Sequence, residues 1–139
     1  MKKGKKILLF ILVIIVVAIF ISAAWYFSPK TFLKGIEPSN VSSIGVFDGN
    51  TGNGFVIEDE SEIQYIIENI QSFAMTREKV SVGYNGYSFR MNFYDNSGKE
   101  IDSFIINSTT TIRDDPFFYR CNGDLCFDYL KALEDRYVK

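Results

Sequence analysis

The chain has 139 residues but no histidine, only two cysteines, three prolines and one tryptophan. The absence of histidine excludes Ser-His and Cys-His nucleophile systems and every imidazole metal site. Basic charge is also scarce where it would matter for nucleic acid. All seventeen acidic residues lie after residue 36 and four of the fifteen basic ones precede residue 7, so the remainder carries 11 minus 17, or −6, against −2 for the whole chain. A phosphate-backbone binder needs a basic stripe, so nucleic acid is not an expected partner. No internal repeat or low-complexity tract is present. Carboxylates are the remaining candidates for chemistry. Asp114 and Asp115 are adjacent before Pro116, a pattern that acid-base or metal chemistry can use but that a solvated turn explains. Asp48, Asn50 and Asp59 occupy positions 1, 3 and 12 of an imagined calcium loop. Asn53, however, stands at position 6, where glycine is required. The stretch is read as a glycine-rich hairpin turn, and no metal, cofactor or catalytic residue is expected.

One long hydrophobic run is present. Lys2, Lys3, Lys5 and Lys6 precede Ile7 to Ile21, in which only Ala18 is not Ile, Leu, Val or Phe, and Ser22-Ala23-Ala24-Trp25-Tyr26-Phe27 follow. Residues 7–27 would extend about 32 Å as a helix, close to the hydrocarbon thickness of a bilayer. The lysines predict a cytoplasmic N-terminus (residues 1–6), and Trp25 and Tyr26 fall where an aromatic belt would sit at the outer interface. Cleavage after Ala24 as a secretory signal is the competing expectation. Retention as a transmembrane signal-anchor is favoured because the apolar run is longer than a signal core and continues through Phe27. No cysteine lies near this segment for lipid attachment.

Residues 28–40 contain Pro29, Gly35 and Pro38 and predict an extended linker. Residues 41–139 predict one α+β domain of the size a single core can stabilise. Val41 to Phe47 and Gly54 to Ile57 flank a Gly/Asn-rich turn and predict a hairpin. Asp59-Glu60-Ser61-Glu62 followed by Ile63, Ile66, Ile67 and Ile70 predicts a capped amphipathic helix. Val80 and Val82, then Tyr87, Phe89, Met91 and Phe93, alternate as strands do. Residues 100–107, 109–113 and 117–120 suit further strands, and residues 125–137 a final helix. The expectation is a two-layer domain: an antiparallel meander of five or six strands with two helices on one face.

Cys121 and Cys126 enclose four residues, and an outward-facing compartment predicts that they pair as a structural disulfide pinning the last helix. Tyr65, Tyr84, Tyr87, Tyr94, Phe117, Phe118 and Tyr119 supply more aromatic surface than one small core requires, which suits a binding surface as well as sheet packing.

Pro38-Ser39-Asn40-Val41-Ser42-Ser43-Ile44, Gly49-Asn50-Thr51-Gly52, the isoleucine-rich helix and Gly86-Tyr87-Ser88-Phe89-Arg90-Met91, behind a lysine-led apolar helix, resemble small membrane-tethered extracytoplasmic domains of Gram-positive bacteria whose function is unknown. The resemblance covers roughly residues 1–135. It implies a single-pass cell-membrane location with the domain outside and transfers no catalytic site. Some proteins of that look are lipoproteins, and this chain lacks their lipid-bearing cysteine. The expected function is a non-enzymatic binding or accessory module for an envelope protein or cell-wall component. An immunity or inhibitor protein at the outer membrane face is the alternative, and a carboxylate-dependent envelope hydrolase a remoter one.

Overall fold

The computed structural model describes residues 2–139. Its N-terminal helix α1 (Lys2–Phe27) has 26 residues, a length of about 39 Å at 1.5 Å per residue. It buries none of its residues and is long and apolar enough to cross a membrane.

The segment after α1 is more than a connector. Phe32 and Leu33 are 2% and 3% exposed, and the Phe32 ring packs on Phe104 and Tyr119. Lys30 bridges Met75 in antiparallel fashion, each N–H donating to the other's carbonyl at 2.7 Å. The Pro and Gly content that reads as a linker accompanies two core anchors. A one-turn 3-10 helix (Pro38–Asn40) leads into the sheet.

The strands are β1 (Val41–Asp48), β2 (Gly54–Ile57), β3 (Thr76–Val80), β4 (Phe89–Asp95), β5 (Glu100–Ile106), β6 (Thr111–Asp114) and β7 (Phe117–Arg120). They form one seven-stranded sheet of order β2-β1-β4-β5-β6-β7-β3, with every pairing antiparallel. Strands β4 to β7 are the expected meander, extended by the β1–β2 hairpin at one side and by β3 at the other. The strand count exceeds the expectation, and the difference lies at β3. Val80 ends that strand, while the polar stretch Thr76-Arg77-Glu78-Lys79 forms most of it. An edge strand whose residues are largely solvated has no burial alternation to reveal it.

Helix α2 (Glu60–Gln71) carries the chain from one sheet edge to the other. Asp59 caps it, its carboxylate accepting the N–H groups of Ser61 and Glu62, which satisfies two of the four donors a helix start leaves unpaired. Helix α3 (Phe127–Tyr137) lies beside α2 on the same face of the sheet. Tyr65 meets Tyr129 with ring centroids 4.5 Å apart, and the Glu62 carboxylate receives Arg136 and, at 2.7 Å, the Tyr137 hydroxyl. The core lies between this helical layer and the sheet. Ile63, Ile66, Ile67, Ile70, Leu130 and Leu133 meet Ile44, Val46, Ile57, Phe89, Met91, Phe93 and Ile106 there, all 3% exposed or less. This is the predicted α+β two-layer arrangement.

Candidate functional site

The register of the sheet defines its second face, the one away from the helices. Because side chains alternate along a strand, residues paired across successive strands share a face. Gly54, Phe47, Arg90, Ile105, Arg113, Phe118 and Lys79 are consecutive cross-strand partners from the β2 edge to the β3 edge. Three cations therefore line one row in a domain whose net charge is negative. At the β2 side the row is open, with Phe47 39% and Val56 53% exposed. Gly45 and Gly54 leave a shallow depression of about 330 Å³ there.

The β3–β4 loop folds over the rest of the row. The Tyr84 ring meets Phe118 edge-on at 5.1 Å, its hydroxyl accepts from Lys79 Nζ at 3.3 Å, and its carbonyl accepts from Arg113 Nη1 at 2.9 Å. Tyr87 carries the Arg90 guanidinium 4.4 Å above its ring. Arg90 enters no salt bridge among the described residues. The loop is fastened from below by Ser81, which is fully buried. Its N–H donates to Pro116 O at 2.7 Å and its Oγ to Asp115 Oδ1 at 2.5 Å.

A second constellation joins α1 to the sheet. Arg77 of β3 donates from Nη1 to the carbonyls of Trp25 and Tyr26 at 3.1 and 3.0 Å, so a guanidinium caps the end of α1, where carbonyls lack helical partners and positive charge is favoured. The same guanidinium lies 4.2 Å over the Trp25 ring and 4.9 Å over Phe117, an attractive arrangement of cation and aromatic faces. The Tyr26 ring meets Phe117 at 5.8 Å. Lys30 Nζ, 2.8 Å from Asp114 Oδ2, fastens the segment that follows.

The acidic residues singled out in the sequence serve the framework. Asp114 pairs with Lys30, and Asp115 with Arg113 at 2.8 Å. Arg113 first, and Ser81 second, hold the Asp115 carboxyl below its ordinary range. Asp48 accepts the N–H of Asn50 at 2.7 Å within the hairpin turn, a task separate from the helix cap made by Asp59. No group of three or more Cys, Asp and Glu suited to a metal ion occurs among the described residues.

The expected Cys121–Cys126 disulfide is not formed; both residues are free, buried thiols. Cys121 Sγ instead faces Gly123 O at 3.1 Å, and Cys126 stands at the N-cap of α3. Backbone bonds do the pinning assigned to the disulfide, Cys121 N–H donating to Thr110 O and Leu125 N–H to Thr109 O. Burial pushes the Cys126 thiol up to about 12, which keeps it protonated and unreactive.

The aromatic residues divide. Tyr65 and Tyr84 are each 49% exposed, while Phe118 and Tyr119 are buried. The cap of α1 by Arg77 has no counterpart in the sequence pattern, because contact between residues some fifty positions apart leaves no local signature. The only local signal was an arginine in an otherwise unremarkable polar stretch.

No family model, curated protein or solved structure matches this chain. Fold and geometry together define a class: a two-layer α+β domain joined end-on to an apolar helix, with one sheet face clear of the helices.

Proposed function

We propose that the chain is a non-enzymatic, single-pass membrane module, with residues 1–6 cytoplasmic, α1 retained as the anchor and the domain on the outer side. It binds a negatively charged envelope component through the open sheet face. One observation carries the reading: Phe47, Arg90 and Val56 form an exposed apolar and cationic patch on the face opposite the helices of a domain whose overall charge is −6 by the count above. A cation surrounded by aromatic and apolar surface suits recognition of an anionic partner. The cytoplasmic lysines support the orientation, and the unbroken helix past Ala24 supports retention. The engagement of Asp114 and Asp115 in ion pairs supports a module without carboxylate chemistry.

The test is a photo-crosslinking residue placed at Phe47 in the full-length chain in its native membrane, with the same residue at Tyr65 on the helical face as the control. A discrete adduct from Phe47, lost in Arg90→Glu and absent from Tyr65, is the expected result. Equal labelling from both positions, or none from Phe47, would remove the sheet face as the binding surface. Intact mass of the membrane fraction checks the anchor separately, since a soluble product beginning at Trp25 would show cleavage.

A further inference from the structure

The tip of the domain beside α1 is patterned inside out. In Val80-Ser81-Val82 the serine is fully buried, while Val80 and Val82 are 50% and 74% exposed, and Tyr84 beyond them is 49% exposed. Water-facing strands and loops present the reverse pattern, polar outward and apolar inward. The exposure is built in. Ser81 is held by both its N–H and its hydroxyl to the β6–β7 turn, Gly83 turns the chain with φ +90°, and Tyr84 N–H returns to Ser81 O. The two valines point away from the domain because the residue between them is fastened into it.

The direction of β3 places this tip. Lys30, just beyond α1, pairs antiparallel with Met75. Two residues later Arg77 reaches the carbonyls of Trp25 and Tyr26. Val80 then pairs with Phe117, whose ring touches Tyr26. Strand β3 thus runs from Lys30 back to the end of α1 at Trp25 and Tyr26, and Val80 to Tyr84 continue from there. Trp25 and Phe27, 63% and 75% exposed, mark the outer interface on the reading of α1 as a membrane span.

We propose that the loop Val80–Tyr84 is a second membrane contact, inserting Val82 and its neighbours into the outer leaflet next to α1. The occupant of this exposed apolar tip is the lipid surface. The inference rests on the membrane-spanning reading of α1 and adds that the domain lies against the bilayer at a fixed edge, with the β2 edge at the far side of the sheet. Lys79 and Tyr84, linked to each other, supply the cation and the amphipathic ring that favour a headgroup layer.

Trp25 is the single tryptophan, so the chain is its own reporter. The full-length protein is reconstituted into phosphatidylglycerol and phosphatidylcholine vesicles with or without brominated acyl chains. Three forms are compared: native, Trp25→Phe with Val82→Trp, and Trp25→Phe with Val56→Trp, the last reporting the opposite sheet edge. The expected result is bromine quenching of the native tryptophan and of Val82→Trp, the latter with a blue-shifted emission, and none of Val56→Trp. Quenching of the native tryptophan without that of Val82→Trp overturns the loop contact and leaves the anchor standing. Quenching of neither overturns the anchor and the loop contact together. Equal quenching of Val56→Trp and Val82→Trp overturns the fixed edge and, with it, the proposal. Far-UV circular dichroism verifies the fold. If Trp25→Phe unfolds the chain, the same comparison is read as the increment that Val82→Trp and Val56→Trp each add to native Trp25.

Discussion

At the scale of single residues, Asp102 is held at a cost. Burial is the main reason its carboxyl sits above the ordinary 3.8, with the charge of Asp114 adding to the rise and an N–H bond from Ser103 opposing it. A carboxyl with a raised folded pKa favours the protonated native state, so its contribution is most favourable in acid and declines as pH rises through the folded value. Asp102→Asn is therefore expected to raise the melting temperature at neutral pH, with the gain disappearing below about pH 4. Thermal scans across pH check this. Asp115 works with the opposite sign, since its depressed pKa gives stability present above 3.8 and lost on acidification. Cys126 is expected to resist thiol reagents at about pH 8 in the native protein, with both cysteines reacting in denaturant. A mass two hydrogens light would contradict the free thiols. Gly49 is fixed by space alone: a Cβ there would lie 2.5 Å from Tyr87 O. Gly49→Ala is expected to cost about 1 to 3 kcal/mol in urea unfolding by forcing the hairpin and the β3–β4 loop apart.

At the scale of elements, the joint between α1 and β3 depends on one guanidinium. Arg77→Ala removes two charge-assisted hydrogen bonds and the aromatic stacking, at an expected cost of about 2 kcal/mol, and frees residues 26–31 to exchange amide hydrogens faster, which mass spectrometry resolves. Arg77→Lys keeps the charge but lacks the planar fork, and is expected to restore only part of the protection. How far each element was legible follows from the same physics. Phe89, Met91 and Phe93 face the core with solvated neighbours, so the period of two in β4 stood out. The isoleucines of α2 stood out likewise, with Asp59 marking the helix start. Strand β3 is mostly exposed, and α1 docks on it through a contact distant in sequence, so neither the span of β3 nor its joint with α1 had a local signature. The surplus of aromatics did not mark the open sheet face: Tyr65 meets Tyr129 on the helical side and Tyr119 is buried, while Phe47 of the open patch was not among them. Phe118 is covered by the loop that lays Tyr84 over it, a contact between residues distant in sequence.

At the scale of the whole molecule, the boundary of the folded unit lies earlier than the composition implied. A chain beginning at residue 28 is expected to fold with its core intact. One beginning at residue 41 loses Phe32 and Leu33 from the core, an expected destabilisation of about 3 to 6 kcal/mol by urea titration. Equal stability of the two would show that the segment contributes no packing. The cap on α1 has a mechanical side as well. A guanidinium rooted in the sheet grips the last carbonyls of the helix, and Lys30 clamps the chain just beyond, so helix and sheet turn together as a crank turns its handle. On the membrane-spanning reading, a bilayer thinner than the apolar length of α1 tilts the helix, and that tilt reappears as the angle at which Phe47 and Arg90 are held above the surface. Lipid thickness then becomes a setting for the reach of the proposed binding face.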